Sequence, residues 1–243
     1  DEVRRLRGRR VGMIFQDPTT NLNPAFRIVD QMIDVARATG AAKDRRSGRA
    51  LAIEMLGRVG IADPETRVDD FPHAFSGGMR QRVMIAMALI GAPDLLVADE
   101  PTTALDVSVQ AQVLKLIAGL AREDGTAVLL VTHNLGVVAK VCSHVAVMYA
   151  GNVVETGPVA RVFEAPRHPY PRALMAAVPK PGVARGALVS LAGTVPNLLE
   201  PPPGCRFAPL CGFAMPACAA GVPPTREIAA GHRVACLAVE AAP

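Results

Sequence analysis

Apolar residues form three short runs before residue 132, and each run ends at polar residues. The runs are residues 11–15, 95–98 and 127–131. Between and after them, apolar positions recur at helical spacing in residues 28–38, 49–59, 79–90 and 107–122. Buried strands that alternate with amphipathic helices predict an α/β fold with a parallel sheet.

The segment between the first two predicted strands is mainly helical. Residues 27–93 contain three of the four helical patterns, and we predict residues 40–48 as a polar linker between two of them. The sequence therefore predicts a helical subdomain, at about residues 27–93, inserted into the sheet domain.

The second apolar run brings two carboxylates to the carboxyl edge of the predicted sheet. Asp99 and Glu100 follow the run, and Pro101 comes next. Open α/β sheets bind ligands at this edge. Asp99 is suited to hold Mg²⁺ through the water shell of the ion, and Glu100 is suited to orient or deprotonate an attacking water. Taken alone, an ordinary strand end with two solvated acids explains these residues equally well.

A second motif combines a helix cap with paired glycines. Ser76 is a good N-cap residue, and Gly77 and Gly78 let backbone N–H groups approach an anion at the start of the next helix. The positive end of the helix dipole would face the same anion. The motif indicates phosphate binding, although a plain capped helix start has the same composition.

Two more polar residues follow the other predicted strands. Gln16 lies where the first strand meets a loop that begins near Pro18, and His133 follows the third strand. Because parallel strands end at one edge of a sheet, both residues are candidates for the same site as Glu100.

These motifs occur in the order that is found in ATP-binding-cassette ATPases. Gln16 resembles the Q-loop residue, residues 76–82 the signature motif, residues 99–106 the Walker B strand with its D-loop, and His133 the switch histidine. The resemblance implies a RecA-like P-loop NTPase core with a helical subdomain over residues 1–160. It also implies that two such domains pair head to tail with ATP between them.

The resemblance further implies a role for each candidate residue. Asp99 and Gln16 would serve Mg²⁺, Glu100 would be the catalytic carboxylate, and His133 would contact the γ-phosphate of ATP. The remaining candidates would act at the dimer interface. Ser76, Gly77 and Gly78 would bind the ATP that the partner holds, and Asp106 would lie at the dimer seam.

One motif of this family is missing. The chain contains no Gly-x-x-x-x-Gly-Lys-Ser/Thr, the Walker A loop that cradles phosphates, and family spacing would place it before Asp1. The chain also begins without a methionine, so we interpret it as a fragment. We expect the 243-residue chain to bind ATP poorly and not to hydrolyse it by itself.

The last third of the chain contains a segment that resembles one branch of the cassette ATPases. Residues 167–174, Arg-His-Pro-Tyr-Pro-Arg-Ala-Leu, resemble a segment of the ATPases of oligopeptide, dipeptide and nickel importers. We therefore interpret residues 161–243 as a small C-terminal accessory domain. Residues 201–204, Pro-Pro-Pro-Gly, predict a loop-rich segment with little core of its own.

Four of the five cysteines lie in this region: Cys205, Cys211, Cys218 and Cys236. Their spacing, C-x₅-C-x₆-C-x₁₇-C, is not that of a zinc ribbon. Disulfides are disfavoured because such an ATPase faces the reducing cytosol. An iron–sulfur cluster, a zinc ion and uncommitted thiols remain as hypotheses. The cluster is favoured because the pattern is similar to that of importer ATPases proposed to carry a 4Fe–4S centre.

Composition limits the alternatives. Half of the 243 residues are apolar, which indicates a globular protein, and no uncharged run approaches the ~18 residues of a membrane span. The net charge of +4 lies within residues 1–46, which include the arginine-rich residues 4–10, but no platform of aromatic residues for base stacking accompanies it. No nucleic-acid partner is therefore expected.

The family resemblance implies a cellular setting and a set of partners. We expect an ATPase that energises the import of peptides or related small solutes from the cytoplasmic face of the membrane. Its partners would be a second cassette, integral membrane permease subunits and, indirectly, a solute-binding protein. The alternatives are a soluble cassette ATPase that acts on nucleic acid or ribosomes, and a binding remnant without activity.

Overall fold

The computed structural model describes residues 2–16, 21–103, 105–178 and 193–239. The chain forms two compact units, Asp1–Leu135 and Gly136–Pro243. Within the described ranges, no helix is long and apolar enough to cross a bilayer.

The first unit is built on a parallel sheet of three strands. These are β1 (Val11–Ile14), β2 (Leu95–Asp99) and β3 (Ala127–Val131), in the order β1-β2-β3. Ala98 lies opposite Ile14 on one side and opposite Leu130 on the other. This register brings the carboxyl ends of all three strands to one edge, where the candidate residues were expected.

Helices cover part of this sheet, but β3 is largely exposed, with Leu129 at 53%, so the prediction that residues 127–131 are a buried strand is wrong. The helices are α1 (Glu2–Leu6), α2 (Ile28–Thr39), α3 (Arg45–Arg58), α4 (Pro64–Arg67), α5 (Gly77–Leu89) and α6 (Val107–Asp124), with a 3₁₀ turn at Pro72–Ala74. Met32, Leu56, Ile85 and Leu96 are fully buried, so the helical segment and the sheet share one core. The continuity of this core explains why the inserted helices fold with the strands.

The predicted linker at residues 40–48 is wrong in its second half, because α3 begins at Arg45. Asp44 caps the helix: its carboxylate accepts a hydrogen bond from the Ser47 backbone N–H at 2.7 Å, and the Ser47 hydroxyl pairs with the Asp44 backbone N–H at 3.2 Å. Gly48 then packs on α2, where an added Cβ would lie 3.1 Å from Ile33 Cγ1. The polar residues of this stretch are therefore a capped first turn.

The second unit contains an antiparallel sheet in the order β4-β5-β7-β6. Its strands are β4 (His144–Tyr149), β5 (Asn152–Pro158), β6 (Arg226–Ala229) and β7 (His232–Val234). The helices are α7 (Leu135–Val141), which begins at the end of the first unit, α8 (Val159–Glu164), α9 (Pro169–Ala177) and α10 (Ala217–Ala220), with a 3₁₀ turn at Ala208–Leu210. Because β5 pairs with β7, the end of the chain joins the sheet that residues 144–158 begin.

The C-terminal region packs on a core that earlier residues of the second unit form. Phe207 is 2% exposed and packs with Tyr149, Val154 and Val162. The sequence did not show this because these partners, on β4, β5 and α8, come earlier in the chain. The domain boundary near residue 160 stays a prediction, and the compact units of the structure divide the chain earlier.

Candidate active site

Glu100 directly follows β2, and its backbone is firmly held. Its N–H donates a hydrogen bond to the Val131 carbonyl at 2.9 Å, which ties it to the end of β3. Its φ of 43° lies in the left-handed region, which costs energy for a residue other than glycine. Such strained residues occur often at functional sites, where the surrounding structure holds them in place.

Three side chains converge on the Glu100 carboxylate. Oε2 accepts hydrogen bonds from Thr103 Oγ1 at 2.6 Å and from Gln16 Nε2 at 3.2 Å. Oε1 lies 2.7 Å from His133 Nδ1. The structure therefore brings together Gln16, Glu100 and His133, three of the residues that the sequence placed at this edge.

These contacts favour the ionised carboxylate. The hydrogen bond from Thr103, followed by that from His133, lowers the pKa of Glu100 below its ordinary value. An ionised carboxylate only accepts hydrogen bonds, so His133 Nδ1 must carry the proton in this contact. The His133 side chain is 76% exposed, and its remaining ring nitrogen is free to meet a ligand from solvent.

Thr103 is the site residue that sequence reasoning missed. Its backbone N–H donates to the Glu100 carbonyl at 3.2 Å, which closes a turn that has Pro101 in its second position. Proline is common at the second position of a β-turn, and a β-turn brings its fourth residue close to its first. The segment Glu-Pro-Thr-Thr was thus a readable signal that Thr103 returns to Glu100.

Asp99 and Gln16 have donors that fit Mg²⁺. The Asp99 carboxylate makes no hydrogen bond or ion pair with the described residues, so its oxygens are available. Gln16 uses its amide nitrogen on Glu100, which leaves its amide oxygen. Because Mg²⁺ is usually held by one or two protein carboxylates together with the phosphates of a substrate, this small donor set is sufficient.

The start of α5 forms a separate feature of the first unit. The Ser76 hydroxyl accepts a hydrogen bond from the Met79 N–H at 3.3 Å, as expected of an N-cap. An added Cβ on Gly78 would lie 3.0 Å from Val109 Cγ1, whereas one on Gly77 would meet nothing within 4 Å. Gly78 thus permits close packing on α6, and Gly77 faces open space.

Asp106 has a structural role that the sequence analysis did not assign. Its Oδ1 accepts hydrogen bonds from the backbone N–H groups of Ser108 and Val109, both at 3.0 Å, and so caps α6. The side-chain hydrogen bond from Ser108 is the main cause of a pKa below the ordinary value for Asp106. Its position at a dimer seam stays a prediction.

The His-Pro-Tyr segment belongs to a buried network in the second unit. Glu155 accepts hydrogen bonds from the N–H groups of Arg167, at 3.0 Å, and His168, at 2.7 Å. His232 Nε2 lies 2.7 Å from the other side of this carboxylate. Glu155 is 1% exposed. Its carboxyl group therefore links β5 to the start of α9 in the interior, where hydrogen bonds from Arg167, His168 and His232 compensate for its burial.

His168 is the N-cap of α9. Its Nδ1 accepts a hydrogen bond from the Tyr170 N–H at 3.0 Å, so this nitrogen carries no proton. Burial lowers the pKa of His168 to about 4. Tyr170 packs edge-on against Tyr149, with ring centroids 4.7 Å apart. The histidine and the tyrosine of the segment therefore organise a core.

Among the described residues, the cysteines are not arranged as a metal site. All five are free thiols, and no group of three or more candidate ligands among the described residues is placed to hold a metal ion. Cys205 and Cys218 meet through their backbones, with N···O at 2.7 Å. Burial raises the pKa of Cys211 and of Cys236, and the neighbouring cysteines, among them Cys205 and Cys218, act in the same direction. The structure does not support the cluster.

Comparisons with known proteins extend over both units. The model of the ABC transporter family matches residues 1–103, and that of the oligopeptide/dipeptide transporter C-terminal region matches residues 154–218. A putative peptide import ATP-binding protein of Brucella melitensis is 49% identical, covering 98% of this chain and 72% of the relative. The dipeptide transport ATP-binding protein DppD of Escherichia coli is 46% identical, over 97% of this chain and 72% of the relative.

Solved structures agree on the fold. The ATP-binding cassette MJ0796 bound to ADP and Pi is 28% identical with a TM-score of 0.55, over 65% of this chain and 67% of that one. CbiO1 of Clostridium perfringens is 29% identical with a TM-score of 0.57, over 68% and 61%. These likenesses confirm the α/β cassette fold, and the names of the relatives give no support to the nucleic-acid alternative. The chain belongs to the ABC transporter ATP-binding proteins that carry the oligopeptide/dipeptide transporter C-terminal region.

Proposed function

We propose that this chain is the ATP-hydrolysing subunit of an importer for peptides or related small solutes, at the cytoplasmic face of the membrane. Membership of the family and the names of the relatives support the transport role. The observation that carries the proposal is the convergence of Gln16, Thr103 and His133 on Glu100.

Glu100 acts on the attacking water in this proposal. A glutamate is ionised at neutral pH, so Glu100 accepts a hydrogen bond from the water and takes its proton as the water attacks the γ-phosphorus and ADP leaves. His133 orients the carboxylate through Nδ1 and presents its exposed ring to the γ-phosphate. Both residues lie at the carboxyl edge of the parallel sheet, which is where open α/β sheets bind ligands.

Asp99 and Gln16 hold Mg²⁺ or its water shell when ATP is bound. The ion neutralises the charge that develops on the phosphate oxygens. Asp99 supplies a carboxylate at the end of β2, and Gln16 supplies its amide oxygen from the end of β1. An iron–sulfur cluster is not part of the proposal.

A second cassette completes the site. Ser76, Gly77 and Gly78 bind the ATP that the partner cassette holds, and the open space at Gly77 supports this role. Asp106 lies at the seam between the two cassettes. The loop after Gln16 transmits the closure of the two cassettes to a membrane permease. The permease in turn works with a solute-binding protein. Residues 17–20 of that loop lie outside the described residues.

The 243-residue chain has no Walker A motif, and we expect no turnover from this chain alone. The test joins an upstream segment that bears the loop and measures ATPase activity with and without the permease. Glu100→Gln should then reduce kcat by roughly 10²–10⁴-fold, since it removes the proton acceptor. The control is Glu54→Gln on α3, an exposed glutamate outside the site.

The outcomes separate the parts of the proposal. Turnover near that of the wild type in Glu100→Gln would contradict the assignment of the base. Turnover by the 243-residue chain alone would contradict the need for the upstream loop. Stimulation by a permease supports the transport role, whereas equal activity without any effect of the permease counts against it.

A further inference from the structure

We infer that Thr103 is a positioning residue for Glu100, and that its hydroxyl fixes Oε2 so that Oε1 is the oxygen that takes the proton of the attacking water. The inference rests on the proposed hydrolytic function. It assigns a role to a side chain that no motif comparison above singles out.

The hydrogen bond from Thr103 is the shortest contact of the Glu100 carboxylate. Thr103 Oγ1 lies 2.6 Å from Oε2, compared with 3.2 Å for Gln16 Nε2. It is also the local contact, since both residues belong to one turn that the Thr103 N–H closes on the Glu100 carbonyl. The turn therefore holds the Glu100 carboxylate and the Thr103 hydroxyl in a fixed arrangement.

Gln16 and His133, the other two partners of the carboxylate, also bind other groups in the proposed cycle of ATP hydrolysis. Gln16 is proposed to serve Mg²⁺, and His133 to contact the γ-phosphate. Each therefore divides its polar atoms between the carboxylate and the bound nucleotide or its metal. Thr103 has no second ligand in the proposal, so its hydroxyl serves the carboxylate alone.

The division between the two carboxylate oxygens follows from the contacts. Oε2 receives two hydrogen bonds, from Thr103 and Gln16, whereas the contact of Oε1 is with His133. A carboxylate has about four lone-pair sites in all, so Oε1 keeps more acceptor capacity. The proton of the water therefore passes to Oε1 while the water oxygen bonds to the γ-phosphorus, the bond from that phosphorus to the β,γ-bridging oxygen breaks, and ADP leaves.

The backbone adds to this positioning. The Glu100 N–H donates a hydrogen bond to the Val131 carbonyl at 2.9 Å, and the Glu100 φ is 43°. A glutamate side chain still has several rotatable bonds, and ordering them has an entropic cost. A hydrogen bond at the far end of the side chain orders these bonds before substrate arrives.

The test compares three variants of the protein that carries the upstream loop. Thr103→Val removes the hydroxyl and should lower kcat roughly ten- to a hundredfold with KM for ATP little changed, because the carboxylate loses its orientation. Thr103→Ser keeps the hydroxyl and should retain most of the activity. Thr102→Val makes the same change one residue earlier, where the hydroxyl accepts from Gln110 at 2.8 Å, and should leave kcat unchanged.

A second readout uses the 243-residue chain without nucleotide. Three-bond NMR couplings along the Glu100 side chain should report one rotamer in the wild type and in Thr103→Ser, and averaged rotamers in Thr103→Val. A single Glu100 rotamer in Thr103→Val would overturn the inference, as would equal losses of kcat in Thr102→Val and Thr103→Val.

The proposed function is tested separately in the same preparation. If Glu100→Gln abolishes turnover and Thr103→Val does not lower it, the function stands and the role of Thr103 is wrong. If Glu100→Gln keeps wild-type turnover, the base assignment fails and the role of Thr103 in proton transfer fails with it.

Discussion

The molecule contains two glutamate–histidine pairs with the same contact distance and opposite surroundings. Glu100 and His133 meet at 2.7 Å in the first unit, where the side chains are 22% and 76% exposed. Glu155 and His232 also meet at 2.7 Å in the second unit, where the side chains are 0% and 6% exposed. Burial, and not the contact itself, distinguishes the two pairs.

The partners of each carboxylate explain the difference. Besides its histidine, Glu155 accepts from backbone N–H groups, so it holds the chain at the start of α9. Glu100 accepts from side chains only, and solvent reaches the pair. A carboxylate that binds backbone groups in the interior supports the fold, whereas one that is surrounded by adjustable side chains at a sheet edge is open to a substrate.

The largest effect is expected on removing the buried carboxylate. Glu155→Ala leaves His232 and two backbone N–H groups unpaired in the interior, and should lower the free energy of unfolding by about 3–5 kcal/mol. The chain has two tyrosines and no tryptophan, and both tyrosines, Tyr149 and Tyr170, lie in the second unit. Tyrosine fluorescence during urea unfolding therefore reports this unit.

The matched control for Glu155→Ala is Glu164→Ala, an exposed glutamate of the same unit. It should leave the midpoint of the tyrosine signal unchanged. Equal midpoints for the two variants would show that the buried pair does not support the fold.

The next effect is a dependence of stability on pH that arises from His168. Its folded pKa of about 4 lies below the ordinary 6.5, so the neutral ring stabilises the fold fully above pH 6.5. This contribution is lost as the pH falls toward 4, by about 2 kcal/mol between pH 6.5 and pH 5. His168→Asn keeps a capping side chain that does not titrate, so its unfolding free energy, followed by tyrosine fluorescence, should vary less with pH.

A parallel pH dependence in the wild type and in His168→Asn would contradict the assignment to His168. A weaker dependence in the variant would locate the titration in the buried network.

A smaller effect is expected at Ser76, which combines a structural contact with a proposed ligand role. Ser76→Ala removes the cap of α5 and should lower the free energy of unfolding by about 1 kcal/mol, measured by far-UV circular dichroism. Ser76→Asp, which retains a capping oxygen, should recover this loss. If Ser76→Ala has no effect on unfolding, the serine serves the nucleotide alone.

The smallest effect on stability is expected at Glu100. Glu100→Gln keeps the shape of a side chain at the edge of the sheet, and should leave the unfolding midpoint by circular dichroism unchanged while it reduces turnover sharply. A loss of stability as large as that of Ser76→Ala would place Glu100 with Glu155, as a residue that supports the fold.

Much of the first unit was predictable because its signals are local. Continuous apolar runs predicted β1, β2 and β3, and Ser76 predicted the start of α5, because strand formation and helix capping depend on a few neighbouring residues. The predicted burial of β3 was wrong, because burial depends on what packs against a strand. The edge that joins Gln16, Glu100 and His133 also followed, since parallel strands must end together. The first turn of α3 was missed because its cap is polar and resembles a linker.

The sequence by itself determined the family motifs, the order of the strands along the chain and the residues at their ends. Tertiary structure decided which side chains meet. Thr103 reaches Glu100 because a turn closes, and His232 reaches Glu155 because β7 pairs with β5 across 77 positions of the chain. The same pairing buries that carboxylate. Local patterns specify elements, whereas contacts and burial depend on strand register and turn geometry, which neighbouring residues alone do not encode.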